Sequence, residues 1–103
     1  MNSKYDKKKK SNLTSLVIEI RGHCIERVRE RRPEFRTRSD KAIIKMIEHE
    51  VRYSRLIGFD RWGHEIRVYQ GKLYACKYTK QKYVVYTYML SKDEMKRQSF
   101  IRL

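Results

Sequence analysis

His23, Arg27 and Arg31 stand four residues apart in the run HCIERVRER, so a helix through this segment sets one imidazole and two guanidiniums on one face. Such a set can cut RNA without a metal. An imidazole exchanges a proton near neutral pH. An arginine keeps its charge and offers a planar fork of donors to a phosphate, or to the phosphorane that forms when the phosphate is attacked. Three basic groups on one stripe repel unless an anion lies between them. Glu26 and Glu30 fall among them, and the run also suits a solvated helix laced with ion pairs. Cys24 lies beside His23, but adjacent helical residues point about 100° apart, so a buried core thiol is favoured over a thiol-imidazole pair.

The hydrophobic period indicates the helices and strands that carry these groups. Residues 1–11 are polar, with Lys4 and a lysine run at 7–10, and are expected to form a flexible basic arm that adds sequence-independent phosphate affinity. A single domain is expected over 12–103. Leu13, Leu16, Val17, Ile20, Cys24 and Val28 trace one helical face, with Ser11 or Asn12 as cap and Pro33 marking the end near Arg32. LVIEI reads alternatively as a short strand broken at Gly22. Thr37 and Ser39 with Asp40 open a second helix whose apolar set, Ile43, Ile44, Ile47, Val51 and Leu56, carries it to a stop at Gly58. His49, among Glu48 and Glu50, falls on its solvent side.

FDRWGH reads as a loop, after which the period drops from about 3.6 to 2. EIRVYQ, LYACKY and YVVYTYML are rich in β-branched and aromatic residues, and the turns at 70–72 and 79–82 make them consecutive hairpins. Ser91, with Glu94 three residues on, forms a capping box for a short last helix. The expected architecture is α+β: two N-terminal helices packed on a three- to four-stranded antiparallel β-meander, with a short C-terminal helix. One sheet face would be covered and the other wet, displaying Tyr, Lys and Arg.

The chain has 103 residues and a net charge of +14, from 26 Lys and Arg against 12 Asp and Glu. Positive charge this dense opposes compaction and is relieved by a polyanion, which makes RNA the expected partner. Eight Tyr and three Phe add stacking surfaces suited to single-stranded or looped RNA. Cys24 and Cys76 lack the paired spacing of a zinc site, so neither metal nor cofactor is expected. No secretory signal is visible and no stretch approaches the ~20 apolar residues of a membrane span, which points to the cytoplasm and away from the membrane.

Two helices, the first with an H-x3-R-x3-R face, followed by a meander whose last strand carries VVYTY, resemble the superfold shared by barnase-like, EndoU-like, colicin ribonuclease and RelE/ParE-like toxins. The likeness is to small phage and bacterial members with an HAxxR…ER helix and a vvTvy final strand. It spans about residues 13–90 and rests on the order of the motifs, with Cys24 standing where such helices usually have Ala. It implies that His23, Arg27, Arg31 and Thr87 line an RNA-cutting face. A ribosome and an acidic antitoxin or inhibitor are the further partners implied.

Cleavage by the RNA's own 2′-hydroxyl needs a base for that proton, cations for the phosphorane and an acid for the 5′ oxygen, and leaves a 2′,3′-cyclic phosphate. His23 is the candidate base or acid, Arg27 and Arg31 the phosphate ligands, and Thr87 either orients the phosphate or sugar or simply fills a strand position. The second proton-transfer group stays open among Tyr74, Tyr83, Tyr86, Tyr88 and His64. Arg61, Arg67, Lys77, Lys80 and Lys82 extend a positive track, while Trp62, His64 and Tyr86 add rings to it. The expected activity is that of a metal-independent endoribonuclease of toxin or phage-effector type. Its rival is a non-catalytic module on the same fold that binds nucleic acid or a host protein.

Overall fold

The computed structural model describes residue 13 and residues 16–80, 82–89 and 101–102. The basic arm at 1–11 lies outside the described residues, as do 90–100, where the capping box of Ser91 and Glu94 falls.

The chain is α+β. It enters β1 (Val17–Ile20), turns at Arg21 into α1 (Gly22–Arg31), passes a 3-10 turn at Pro33–Phe35 and forms α2 (Asp40–Arg52). Four strands follow: β2 (Arg55–Phe59), β3 (Glu65–Tyr69), β4 (Lys72–Thr79) and β5 (Lys82–Met89), with β6 (Ile101–Arg102) beyond them. The sheet order is β1-β5-β4-β3-β2-β6. β1 runs parallel to β5, from Val17↔Lys82 to Ile20↔Val85, and the other pairs are antiparallel.

Four features correct the expected architecture. The helices do not precede a meander; they are inserted between β1 and β2, and β1 makes the sheet mixed. VIEI satisfies its backbone by pairing with a strand more than sixty residues away, and Ile18 turns inward while Val17 is exposed. The second helix stops at Arg52 rather than near Gly58, because Tyr53 N donates to His49 O and Ser54 N to Val51 O, closing the last turn. Leu56 and Gly58 therefore lie in β2, where a register shift between them marks a bulge. At the C-terminus the described residues, Ile101–Arg102, are strand against β2 and not helix.

The wet sheet face is the fourth correction, for both faces carry apolar clusters. Against the helices lie Ile18, Tyr74, Cys76, Tyr83, Val85 and Tyr88, packed with Cys24, Val28, Ile43, Ile47 and Val51. On the alternate positions Ile66, Leu73, Ala75 and Met89 form a second buried cluster with Ile57 and Val68 against it.

Local chemistry accounts for the helices. Ser39 Oγ accepts from Ala42 N at 3.2 Å, which caps α2, and Ile43, Ile47 and Val51 recur every four residues on its buried face. Cys24, Ile25 and Val28 form the buried face of α1. A charged pair joins the two: buried Arg32, just past α1, donates from Nη1 and Nη2 to Glu50 of α2 at 2.9 and 3.2 Å. Tyr74 Oη of β4 donates to the same carboxylate. Burial alone would lower the Arg32 pKa, but the Glu50 hydrogen bond and charge outweigh it and leave the guanidinium above its usual range.

Candidate functional site

β1 accompanies β5 only as far as Val85. There Arg21 N donates to Val85 O at 3.0 Å and the chain turns into α1, whose last residue, Arg31, donates from Nη1 to Tyr88 O at 3.3 Å. α1 thus runs beside β5 from Val85 to Tyr88, where no strand among the described residues pairs on that side. This stretch receives the expected catalytic set. Arg27 Nε donates to His23 Nε2 at 3.3 Å, a contact that uses the ring nitrogen's lone pair, and Arg27 Nη1 lies 3.6 Å from Glu30. Thr87 Oγ1 donates weakly, at 3.5 Å, to the Tyr88 carbonyl that Arg31 also uses. His23 is exposed; Arg27, Arg31 and Thr87 are half-buried. The ion pair to Glu30 and the bond to a carbonyl relieve part of the repulsion along the stripe from within the chain.

A second group of side chains meets the same strand one residue earlier. The register of β4 with β5 jumps from Cys76↔Val85 to Ala75↔Thr87, so Tyr86 is the extra residue of a bulge. The His64 ring lies 5.0 Å from the Tyr86 ring, and the Arg21 guanidinium lies 5.6 Å from its centroid. Arg21 also meets Glu19 at 3.2 Å.

His64 is held from behind by Asp60. The loop between β2 and β3 turns through Gly63, at φ 82°, and Asp60 Oδ1 accepts from Trp62 N at 2.9 Å and His64 N at 2.8 Å. Asp60 Oδ2 lies 2.9 Å from His64 Nδ1, and only 5% of Asp60 is exposed. A carboxylate only accepts, so Nδ1 is assigned the proton and Nε2 is the nitrogen left to act. Arg21 and Asp60 were missed in the sequence. A signal for Asp60 was present: Asp followed at i+4 by His across a Trp-Gly turn favours an Asx turn that ties the two together. Nothing in the sequence flagged Arg21, whose contact with Tyr86 depends on a bulge in a distant strand.

The other expected residues separate into two groups. Arg61 and Trp62 are exposed and stack on each other, 4.5 Å from guanidinium to ring, and Lys77, Lys80 and Lys82 are exposed, with Lys82 3.3 Å from Glu19. Arg67 is buried on the helix side of the sheet. Its Nε donates to Ser54 Oγ at 2.7 Å and its Nη2 to Ser54 O at 2.9 Å, and Glu65 lies 3.7 Å away, so it ties β3 to the end of α2 and leaves the exposed track.

Burial also narrows the open choice of proton donor. Tyr74 donates to Glu50 and Tyr83 to Glu65, the latter at 2.7 Å, and burial pushes both phenols well above their usual range. Burial raises Tyr88 likewise. Tyr86 and His64, whose rings meet at a tilt with 5.0 Å between centroids, are the two candidates left. Cys24 and Cys76 are buried free thiols, and burial pushes Cys24 up to about 12, which suits packing and not nucleophilic attack.

Among the described residues no group of three or more His, Cys, Asp or Glu side chains is placed to hold a metal ion, and no helix is long and apolar enough to cross a membrane. No protein-family model matches the chain, and neither does any curated protein or solved structure.

Proposed function

We propose that the protein is a metal-independent endoribonuclease of toxin or phage-effector type, cleaving RNA by attack of the 2′-hydroxyl on the adjacent phosphate. One observation carries this reading. An imidazole in contact with a guanidinium, His23 with Arg27, and a second guanidinium, Arg31, lie along the stretch of β5 that also bears Thr87 and Tyr86. In this reading His23 takes the 2′-hydroxyl proton, and Arg27 and Arg31 exchange their present contacts for the scissile phosphate and its phosphorane. Bases stack on Trp62 and neighbouring rings, and Lys77, Lys80 and Arg61 hold the flanking backbone in a net field of +14. The superfold resemblance points the same way and adds the partners, an acidic inhibitor over this face and a ribosome as one source of RNA, while the unpaired cysteines and the absence of a visible secretory signal make the cytoplasm the place of action.

The test is cleavage of end-labelled RNA in EDTA. Wild type is expected to leave 2′,3′-cyclic phosphate ends. His23→Ala should turn over about 10²- to 10⁴-fold more slowly while binding the same RNA with little change. RNA that is bound but left whole, both free and on translating ribosomes, would identify a binding module instead.

A further inference from the structure

We propose that His64 is the second proton-transfer group of this site, giving the proton to the departing 5′ oxygen, and that Asp60 is the positioning residue that aims it. The inference rests on the ribonuclease reading above and names the acid that reading lacks.

A general acid must reach the leaving oxygen with one nitrogen while its ring is fixed by the other. His64 meets the second condition: Nδ1 lies 2.9 Å from a carboxylate that is itself fixed by two backbone N–H groups. Its ring rests on Tyr86, 5.0 Å between centroids, next in sequence to Thr87 and two residues from the carbonyl that Arg31 uses. Arg21 flanks the same Tyr86 ring and stands two residues ahead of His23. A phosphate lying along residues 86–88 of β5 would therefore meet Arg31 of the α1 stripe at Tyr88 and the Arg21–Tyr86–His64 row at Tyr86. The rival phenols of Tyr74 and Tyr83 are committed to carboxylates, the buried Glu50 and the half-buried Glu65.

The step balances within the RNA and the two imidazoles. The 2′ oxygen forms its bond to phosphorus and loses its proton to His23. His64 enters the step as the imidazolium, with its Nδ1–H on Asp60 and a second proton on Nε2. The bond from phosphorus to the 5′ oxygen breaks, that oxygen takes the Nε2 proton, and the products are a 2′,3′-cyclic phosphate, a 5′-hydroxyl, a neutral His64 and a protonated His23.

Two RNAs that differ in one atom test this, an ordinary linkage and one with sulfur in place of the bridging 5′ oxygen, because a thiolate leaves without a proton. His64→Ala and His64→Gln are expected to cleave ordinary RNA about 10²- to 10⁴-fold more slowly than wild type and the sulfur linkage at close to the wild-type rate. Gln keeps a donor for Asp60 and so preserves the loop. Asp60→Asn retains an oxygen for the Trp62 and His64 N–H groups and should show a smaller loss on ordinary RNA, also restored by sulfur. His23→Ala, lacking the base, should stay slow on both. Wild-type rates in the His64 variants on ordinary RNA, or equal losses on both linkages, would overturn the assignment and leave His64 as a loop staple. If wild type cleaves neither RNA, the ribonuclease reading itself falls, and the inference with it.

Discussion

The contact of Arg27 Nε with His23 Nε2 sets what each side chain at the site can tolerate. A lysine at 27 would retain the charge but not the planar fork, so Arg27→Lys is expected to lose most cleavage while RNA binding weakens only slightly. Single-turnover rates beside a binding isotherm separate the two effects, and wild-type turnover in the variant would show that charge alone suffices. Cys24 makes a different prediction. It is fully buried, and burial raises its thiol from 9.0 to about 12. The folded state therefore keeps the proton that an unfolded chain gives up above pH 9.0, so this contribution to stability is complete below that pH and is lost as pH rises toward about 12. Native protein at pH 8 should resist thiol reagents at Cys24, and denaturant midpoints should fall above pH 9. Rapid native labelling would contradict the burial. The helical spacing of His23, Arg27 and Arg31 was legible because four-residue steps are a local property. The position of Arg67 was not: alternation in EIRVY assigns it a face opposite Ile66 and Val68, but with both faces covered, alternation cannot say which is wet.

The elements differ in how locally they are specified. α2 begins where Ser39 can accept from Ala42 N, and Ser39→Ala is expected to cost about 1 kcal/mol, read as a shift of the denaturation midpoint without change of slope. An unchanged midpoint would mean that tertiary packing alone defines the start of the helix. The β3–β4 hairpin was equally readable, since Gln70 and Gly71 take positive φ of 47° and 80°, as a two-residue turn demands. β1 and β2 were harder. Val17 and Ile20 fit a helical face and a strand alike, and Leu56 continues the apolar spacing of α2. The deciding terms are pairing with β5 and the closure of α2 at Tyr53 and Ser54.

At the scale of the molecule, one buried ionic cluster ties the layers together. Arg32, Glu50 and Tyr74 come from the end of α1, from α2 and from β4, with Lys72 3.8 Å from the same carboxylate and Phe35 stacked 4.7 Å from the guanidinium. Removing the acid would leave Arg32 charged and buried, so Glu50→Ala is expected to destabilise the fold by about 3–5 kcal/mol. Calorimetry should show a marked fall in Tm. A loss below about 1 kcal/mol would mean that water reaches Arg32 once the acid is gone.

Whatever depends on near neighbours is already present in the order of the residues: the basic charge, the helix that lines up His23, Arg27 and Arg31, the cap of α2 and the two hairpins. Each is set by spacing within a few residues. Which distant groups meet is a matter of the folded chain. The parallel pairing of β1 with β5 ends at Val85 and turns α1 along the rest of that strand, and a bulge at Tyr86 presents its ring to both Arg21 and His64. Asp60 joins that row because the loop before β3 lies two strands away in space and more than twenty residues away in sequence. Such contacts depend on sheet order and register, which no local period encodes.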